Sequence, residues 1–228
     1  MTPALYLVPA PLGGAVADAL PAAAAETVRS LRDFAVENAK TARAFLGELG
    51  MPCPLRELNI QLITEDAAAA LAPLRAGRSL GVLSEAGSPS VADPGAALVA
   101  AAHAGGFRVV PLVGPSAVLL ALMACGLEGQ RFAFCGYLPR EAAARASRIR
   151  ALEQRSRAER ETQIFIETPY RNDVLLQALL EHCDPATRLC VAADLTLPSE
   201  SIATRTVAQW RSQPGAIGRR PATFLLLA

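Results

Sequence analysis

Short apolar runs alternate along the first half of the chain with stretches that repeat apolar residues at helical spacing. The apolar runs cover residues 5–8, 34–36, 59–63, 80–83 and 107–112, and such runs are typical of strands buried in a parallel sheet. The helical spacing lies within residues 21–34, 41–49, 66–76 and 96–104. Alternation of this kind predicts βαβ units built around a mostly parallel sheet.

The second half repeats the alternation after a break at Gly114 and Pro115. We predict strands over residues 131–137, 163–167 and 189–194, and helices over 117–125, 141–161 and 172–183. Residues 201–207 and 222–227 have the patterns of two antiparallel strands. The chain is therefore predicted to be α/β, with one α/β domain over residues 1–114 and a second over 115–228.

Three loops rich in glycine and proline each follow an apolar strand, at residues 9–14, 85–95 and 114–117. Ligands of open α/β sheets bind in the crevice at the carboxyl ends of the strands. Small residues there let the backbone approach a ligand closely. The pattern predicts a ligand site, although ordinary turns between strands and helices would have the same composition.

Composition narrows the class of protein. The 228 residues are 52% hydrophobic with a formal net charge of +1, which argues against disorder and against the strongly basic surface of a dedicated nucleic-acid binder. No apolar run approaches the roughly 20 residues of a membrane span, and the N-terminus lacks the pattern of a signal peptide. The five cysteines form no CxxC pair. They predict reduced core residues in a cytoplasmic, soluble protein without a metal site.

Common catalytic motifs are absent from the sequence. It contains no GxxxxGK[ST] phosphate loop, no GxGxxG fingerprint, no GxSxG elbow and no cluster of metal ligands. A site built largely from backbone remains, and such a site suits a cofactor that carries its own reactivity.

Several motifs, in order, resemble those of the ribosomal small-subunit 2′-O-methyltransferase I family, within the tetrapyrrole methylases. Residues 85–95 resemble its D-A-G-T-P-x-x-S-D-P-G loop, residues 114–117 its G-P-S-A turn, and residues 134–139 its F-x-G-F-L-P segment. Residues 5–13 and 166–171 are similar to its opening strand and to its E-[SA]-P-H-R segment. The similarity extends over nearly the whole chain.

The resemblance implies a homodimer of two-domain subunits of the tetrapyrrole methylase type, with S-adenosyl-L-methionine in the active-site cleft between the domains. The cofactor-binding positions that it implies in the first half, and at the start of the second, are Pro11, Ala86, Gly87, Ser88, Asp93, Ser116 and Ala117. Those in the rest of the second half are Tyr137, Glu167, Thr168, Ala192 and Ala222.

The sequence departs from the family where the substrate is expected to bind. The family's E-D-T-R-x-T segment reads Glu-Asn-Ala-Lys-Thr-Ala over residues 37–42, and both basic residues of its R-E-L-T-K segment are missing at 193–197. Loss of basic residues weakens contacts with RNA phosphates. A hydroxyl that accepts a methyl group must also lose its proton, so a nearby carboxylate is expected. The candidate catalytic residues are Glu37, Glu85, Arg171 and Glu200, for which a surface charge or a structural ion pair is the alternative.

These observations leave three functions open. The first is methyl transfer to RNA, with an RNA or a ribosomal subunit as partner. The second is methyl transfer to a small, tetrapyrrole-like molecule. The third is a catalytically impaired protein that binds the cofactor and acts through interactions. The arginines of segment 141–161 offer a face for RNA, but its glutamates favour a solvated helix.

Overall fold

The computed structural model describes residues 2–64, 66–213 and 215–228. Contacts within the chain divide it into two compact units, Met1–Ser116 and Ala117–Ala228. Each unit contains one five-stranded sheet with helices, so the predicted α/β class is confirmed. The predicted domain boundary lies two residues before the division between the units, which we describe separately.

The first unit is built on a sheet in which every pair of neighbouring strands is parallel, as predicted. The strands are β1 (Ala4–Val8), β2 (Asp33–Val36), β3 (Asn59–Leu62), β4 (Leu80–Leu83) and β5 (Arg108–Pro111), in the order β3-β2-β4-β1-β5. The helices are α1 (Val16–Ala19), α2 (Ala22–Ser30), α3 (Ala39–Leu49), α4 (Ala67–Ala70), α5 (Ala72–Arg75) and α6 (Ala96–Ala104).

Apolar side chains cover both faces of this sheet. Phe34 and Leu46 belong to a core cluster on one face, and Leu80 and Leu98 to a separate cluster. All four residues of β2 and of β4 are buried, which explains why these strands read as continuous apolar runs in the sequence. Burial of both faces fixes the strand ends, and the loops that follow them are held in place.

Two local features of the first unit differ from the prediction. The helix predicted over residues 66–76 is two short helices, α4 and α5, that meet at Leu71. Pro73 lies in the first turn of α5. It lacks an N–H group and cannot continue a helix without breaking a hydrogen bond. Helix α1 was not predicted; the carboxylate of Glu48, on α3, accepts a hydrogen bond from its first N–H group, that of Val16, at 2.7 Å.

The second unit contains a mixed sheet. Its strands are β6 (Phe132–Tyr137), β7 (Thr162–Glu167), β8 (Arg188–Ala193), β9 (Ser201–Thr206) and β10 (Ala222–Leu227), in the order β6-β7-β10-β8-β9. Its helices are α7 (Ala117–Ala124), α8 (Ala142–Glu159), α9 (Asn172–His182) and α10 (Val207–Ser212). Both β9 and β10 are strands, as predicted, but they do not pair with each other; each runs antiparallel to β8, which lies between them.

The centre of the second core is a pair of stacked aromatic rings. Phe165 on β7 lies opposite Phe224 on β10, with ring centroids 5.9 Å apart. Helix α10 was missed because it is only six residues long. Its start carries a capping box, in which the Thr206 hydroxyl and the Gln209 side chain each bond the other's backbone N–H group. That T-x-x-Q spacing was a readable signal.

The cysteines are free thiols, and Cys125, Cys183 and Cys190 are buried. Burial raises the pKa of Cys183 to about 12 and that of Cys190 to about 11, so neither is a reactive thiolate near neutral pH. Within the described ranges, no helix has both the length and the apolar character needed to cross a bilayer. The same residues contain no group of three or more side chains suited to holding a metal ion.

Candidate functional site

Three loops of the first unit meet at the carboxyl edge of its sheet. They follow β1, β4 and β5, which are neighbours in the order β4-β1-β5. Parallel strands end at one edge of a sheet, and ligands of this fold class bind there. The loops predicted from the sequence are therefore brought together by the strand order.

Direct hydrogen bonds join the three loops. Ala10 and Gly87 exchange two backbone hydrogen bonds, of 2.8 and 3.0 Å, between the loops after β1 and β4. The Ser88 hydroxyl donates to the carbonyl oxygen of Pro115, in the loop after β5, at 3.1 Å. Predicted cofactor residues Pro11, Ala86, Gly87, Ser88 and Ser116 therefore lie within or next to one cluster of loops.

Two glycines allow this close approach. A Cβ atom on Gly114 would lie only 2.4 Å from Cβ of Pro9, which is far inside van der Waals contact. Gly87 has φ +70°, and a Cβ there would lie 3.3 Å from Cδ2 of Leu12. Only glycine meets both requirements without moving the neighbouring loop.

The loop after β4 also contains non-glycine residues in the left-handed region. Ser90 has φ 69° and Ala92 has φ 66°, each at a conformational cost of about 1–2 kcal/mol for an L-residue. The Ser90 hydroxyl oxygen is buried without a hydrogen-bond partner. Local strain and an unpaired hydroxyl are more typical of a ligand site than of an ordinary turn.

Three acidic side chains gather around the same loop. The Glu37 carboxylate, at the end of β2, accepts a hydrogen bond from the backbone N–H of Glu85 at 3.0 Å. Burial and the negative charges of Glu37 and Glu85 raise the pKa of Asp93 to about 6, while the Ser84 hydroxyl opposes the shift. Among the described residues, none of the three acids forms an ion pair. The edge of the sheet is therefore negatively charged.

An open hollow of about 320 Å³ lies beside these acids. Its walls are the loop after β1, the end of β4 and one side of α3. Helix α3 contributes Thr41, Ala44, Phe45 and Glu48, which share one helical face at spacings of three, four and seven residues. The helical spacing of these residues can be read from the sequence. The loop against which they lie cannot, so they were not among the predicted site residues.

In the second unit, Glu167 is held by its own neighbours. One carboxylate oxygen accepts from the backbone N–H of Thr168 at 2.8 Å, and the other pairs with the Arg171 guanidinium at 3.1 Å. Both side chains of the ion pair are largely buried. Arg171 thus forms an ion pair of the kind that was the alternative to a catalytic role.

The other predicted residues of the second unit lie on separate elements. Ala222 lies opposite Glu167 in the sheet, and Ala192 lies opposite Thr223 on the neighbouring strand. Ala117 begins α7, and Tyr137, at the end of β6, is 57% exposed. Glu200 is exposed and accepts a hydrogen bond from the N–H of Thr196 within its own turn. The structure thus brings Glu167, Thr168 and Ala222 together and places Glu200 in a local turn.

The acidic residues of α8 and of its two ends form hydrogen bonds and ion pairs with other parts of this chain. Glu141 caps the helix N-terminus, and Glu153 accepts hydrogen bonds from Asp184 and Thr187. Glu159 pairs with Arg131, and Glu161 with Arg155. Arg148 and Arg157 stay exposed. The surface of the helix is therefore charged, and its positive and negative side chains are not evenly distributed along its length.

Comparison with known proteins identifies the family. Residues 4–210 match the family of Tetrapyrrole (Corrin/Porphyrin) Methylases. The chain is 35% identical over 207 residues to the Ribosomal RNA small subunit methyltransferase I of Mesorhizobium japonicum, covering 91% of this chain and 68% of that protein.

Solved structures share the fold. The methyltransferase CobJ superposes with a TM-score of 0.64 at 20% identity, over 99% of this chain and 94% of CobJ. The uroporphyrin-III C-methyltransferase of Thermus thermophilus, crystallised with S-adenosylhomocysteine, gives 0.57 at 17% identity, over 98% and 97% of the two chains. The family match over most of the chain confirms the enzyme class predicted from the sequence, and this chain belongs to the tetrapyrrole methylase family of methyltransferases.

Proposed function

We propose that the protein transfers the methyl group of S-adenosyl-L-methionine to a ribose 2′-hydroxyl of small-subunit ribosomal RNA. The observation that carries the proposal is the cluster of backbone loops at residues 9–14, 84–95 and 113–117, joined by the Ala10–Gly87 and Ser88–Pro115 hydrogen bonds. Relatives named as ribosomal RNA small subunit methyltransferase I support RNA as the substrate.

The residues at the loop cluster fit this cofactor. S-adenosyl-L-methionine supplies an electrophilic methyl group on a positively charged sulfur. Glu37, Glu85 and Asp93 present negative charge to a ligand of that charge, and the exposed backbone of the glycine-rich loops can bond its polar groups. From the first unit we propose Pro11, Ala86, Gly87, Ser88, Asp93 and Ser116 as cofactor residues. From the second we propose Ala117, Tyr137, Glu167, Thr168, Ala192 and Ala222.

The protein's part in the reaction is orientation and proton removal. As the new C–O bond forms and the S–CH₃ bond breaks, the hydroxyl proton must leave the attacking oxygen. We propose Glu85 as the acceptor of that proton, held in place by its own N–H bond to Glu37 and by the Thr41 hydroxyl at 3.4 Å. Arg171 is a positioning residue through Glu167, and Glu200 stays a prediction from the sequence.

We further propose that the protein forms a homodimer and acts in the cytoplasm, where ribosomal subunits are found. Helix α7 leaves Leu119 52% exposed and Met123 79% exposed. Exposed apolar side chains of this size on one helix favour an interface with a second subunit. Sedimentation equilibrium of the wild type and of Met123→Glu tests the proposal; a monomeric wild type would contradict it.

The function is tested by a radiolabelled methyl-transfer assay on extract from a strain that lacks the gene, separated into RNA, protein and small molecules. Label is expected in small-subunit ribosomal RNA, within nucleotides that resist alkali because the 2′-oxygen is methylated. Label confined to small molecules would indicate a tetrapyrrole-like substrate instead of RNA. Cofactor binding without any transfer would identify a catalytically impaired binding protein.

Gly87→Val is expected to abolish the thermal stabilisation that S-adenosylhomocysteine gives the wild type. A valine at φ +70° is strained, and its side chain would lie against Leu12 inside the loop cluster. The matched control is Gly77→Val, because Gly77 has φ +77° with nothing within 4 Å of its Cβ position. Both variants should unfold at lower temperature, but only Gly77→Val should respond to the ligand. Equal responses would contradict the placement of the cofactor at Gly87.

A further inference from the structure

The hollow beside α3 has the size and the charge of a nucleoside site. Its volume of about 320 Å³ lies at the small end of the range for ligand pockets, about 300–1,000 Å³. Small residues make this space, since Ala10, Gly13 and Ala86 line it together with Ala44 of α3. A larger side chain at any of these positions would reduce it.

The walls of the hollow combine an apolar side with hydrogen-bond acceptors. Leu12, Phe45 and Leu83 form apolar lining, against which the face of a nucleobase can pack. Glu85 and Glu48 supply carboxylates, and Thr41 supplies a hydroxyl. Carboxylates accept hydrogen bonds from ribose hydroxyls and from base amino groups.

The charges on the walls exclude phosphate from the interior. Of the described residues that line the hollow, the only charged ones are Glu48 and Glu85, and both are acidic. A phosphate would be repelled there, whereas the uncharged base and ribose of a nucleotide would not. The phosphates that flank a bound nucleotide must therefore lie outside the hollow.

The hollow is also next to the loops that we assign to the cofactor. It shares more than half of its lining residues with them, at positions 10–14 and 84–86, and extends from there toward α3. A nucleoside in the hollow would bring its ribose to the Glu85 carboxylate, at the end of β4. From this arrangement, and resting on the proposed function, we infer that the hollow binds the base and ribose of the target nucleotide, turned out of the RNA chain.

The variant that tests this inference is Ala44→Phe, which puts a ring into the hollow from the exposed side of α3. We expect the kcat/KM for methyl transfer to small ribosomal subunits to fall about 100-fold, the effect of displacing a reacting group by about 1 Å, with unchanged affinity for S-adenosylhomocysteine. The matched control is Ala23→Phe, an exposed alanine on α2 that does not line the hollow. It should behave as the wild type in both measurements.

Two results would overturn the inference. If Ala44→Phe and Ala23→Phe transfer label equally well, the hollow does not receive the substrate. If Ala44→Phe loses affinity for S-adenosylhomocysteine in proportion to its activity, the hollow belongs to the cofactor. Label transfer by the wild type is scored separately, so failure of the proposed function is recognised by itself.

A binding measurement tests the same site without turnover. Uridine added to the wild type in saturating S-adenosylhomocysteine should shift the backbone amide resonances of α3 and of residues 10–14. We expect 2′-deoxyuridine to bind about tenfold more weakly, because one hydrogen bond to a carboxylate is lost. Absence of shifts with uridine, or equal binding of the two nucleosides, would contradict a site in which a carboxylate contacts the ribose.

Discussion

Gly114→Ala is expected to open the loop cluster and to weaken S-adenosylhomocysteine binding about 100-fold, which corresponds to a loss of about 2.8 kcal/mol of binding free energy. The added methyl group would lie 2.4 Å from Cβ and 2.6 Å from Cγ of Pro9. The ring of Pro9 is bonded to its own backbone and cannot rotate away, so the loops after β1 and β5 must separate. Overpacking of this kind costs about 1–3 kcal/mol of the free energy of unfolding.

The measurements are thermal unfolding and calorimetric titration with S-adenosylhomocysteine, at a temperature where the variant is folded. Gly129→Ala is the control, since a Cβ at Gly129 has nothing within 4 Å and its φ is not in the left-handed region. It should match the wild type. Normal affinity in folded Gly114→Ala would show that close packing of the loops is not needed for binding.

Asp93→Asn is expected to stabilise the fold near neutral pH while weakening cofactor binding. In the folded protein, burial and the nearby charges of Glu37 and Glu85 raise the pKa of Asp93 from 3.8 to about 6. The folded state therefore holds a proton that the unfolded chain has already released between those two pH values. Wild-type stability should fall as pH rises through this range, and the asparagine variant should not show that fall.

The difference in the free energy of unfolding between Asp93→Asn and the wild type should be absent below about pH 4. It should reach about 1 kcal/mol above about pH 6. This is well under the full linkage value because Asp93 is only half-buried. Denaturant unfolding of both proteins at pH 4, 6 and 8 measures it. A variant that is less stable than the wild type at pH 8 would contradict the repulsion among the three acids. Full affinity for S-adenosylhomocysteine in this variant would remove Asp93 from the proposed cofactor residues.

Much of the fold could be predicted because its central strands, such as β2, β4 and β10, are buried on both faces. The continuous apolar runs at β1, β2 and β4 are readable without any knowledge of their partners. The convergence of the three loops also followed, since parallel strands place their carboxyl ends at one edge. Short helices were missed or misjudged, because α1, α4, α5 and α10 span six residues or fewer and tertiary contacts and caps decide elements of that length.

The site was less accessible from the sequence. Glu37 and Glu85 lie 48 positions apart, and only the β2–β4 pairing brings the Glu37 carboxylate to the N–H of Glu85. The hollow exists because α3 lies against the loop after β1. No local sequence pattern predicts that packing. By contrast, the Glu167–Arg171 pair has the spacing of four residues that predicts contact along a helix or tight turn. A structural ion pair was accordingly the alternative to catalysis that the sequence already offered for Arg171.

The most direct test of the account is hydrogen exchange of the wild-type backbone amides with and without S-adenosylhomocysteine. In our proposal, backbone loops at the edge of the first sheet bind the methyl donor. Saturating ligand is therefore expected to slow exchange within residues 9–14, 84–95 and 113–117. Exchange that is unchanged in all three loops at saturation would contradict the claim.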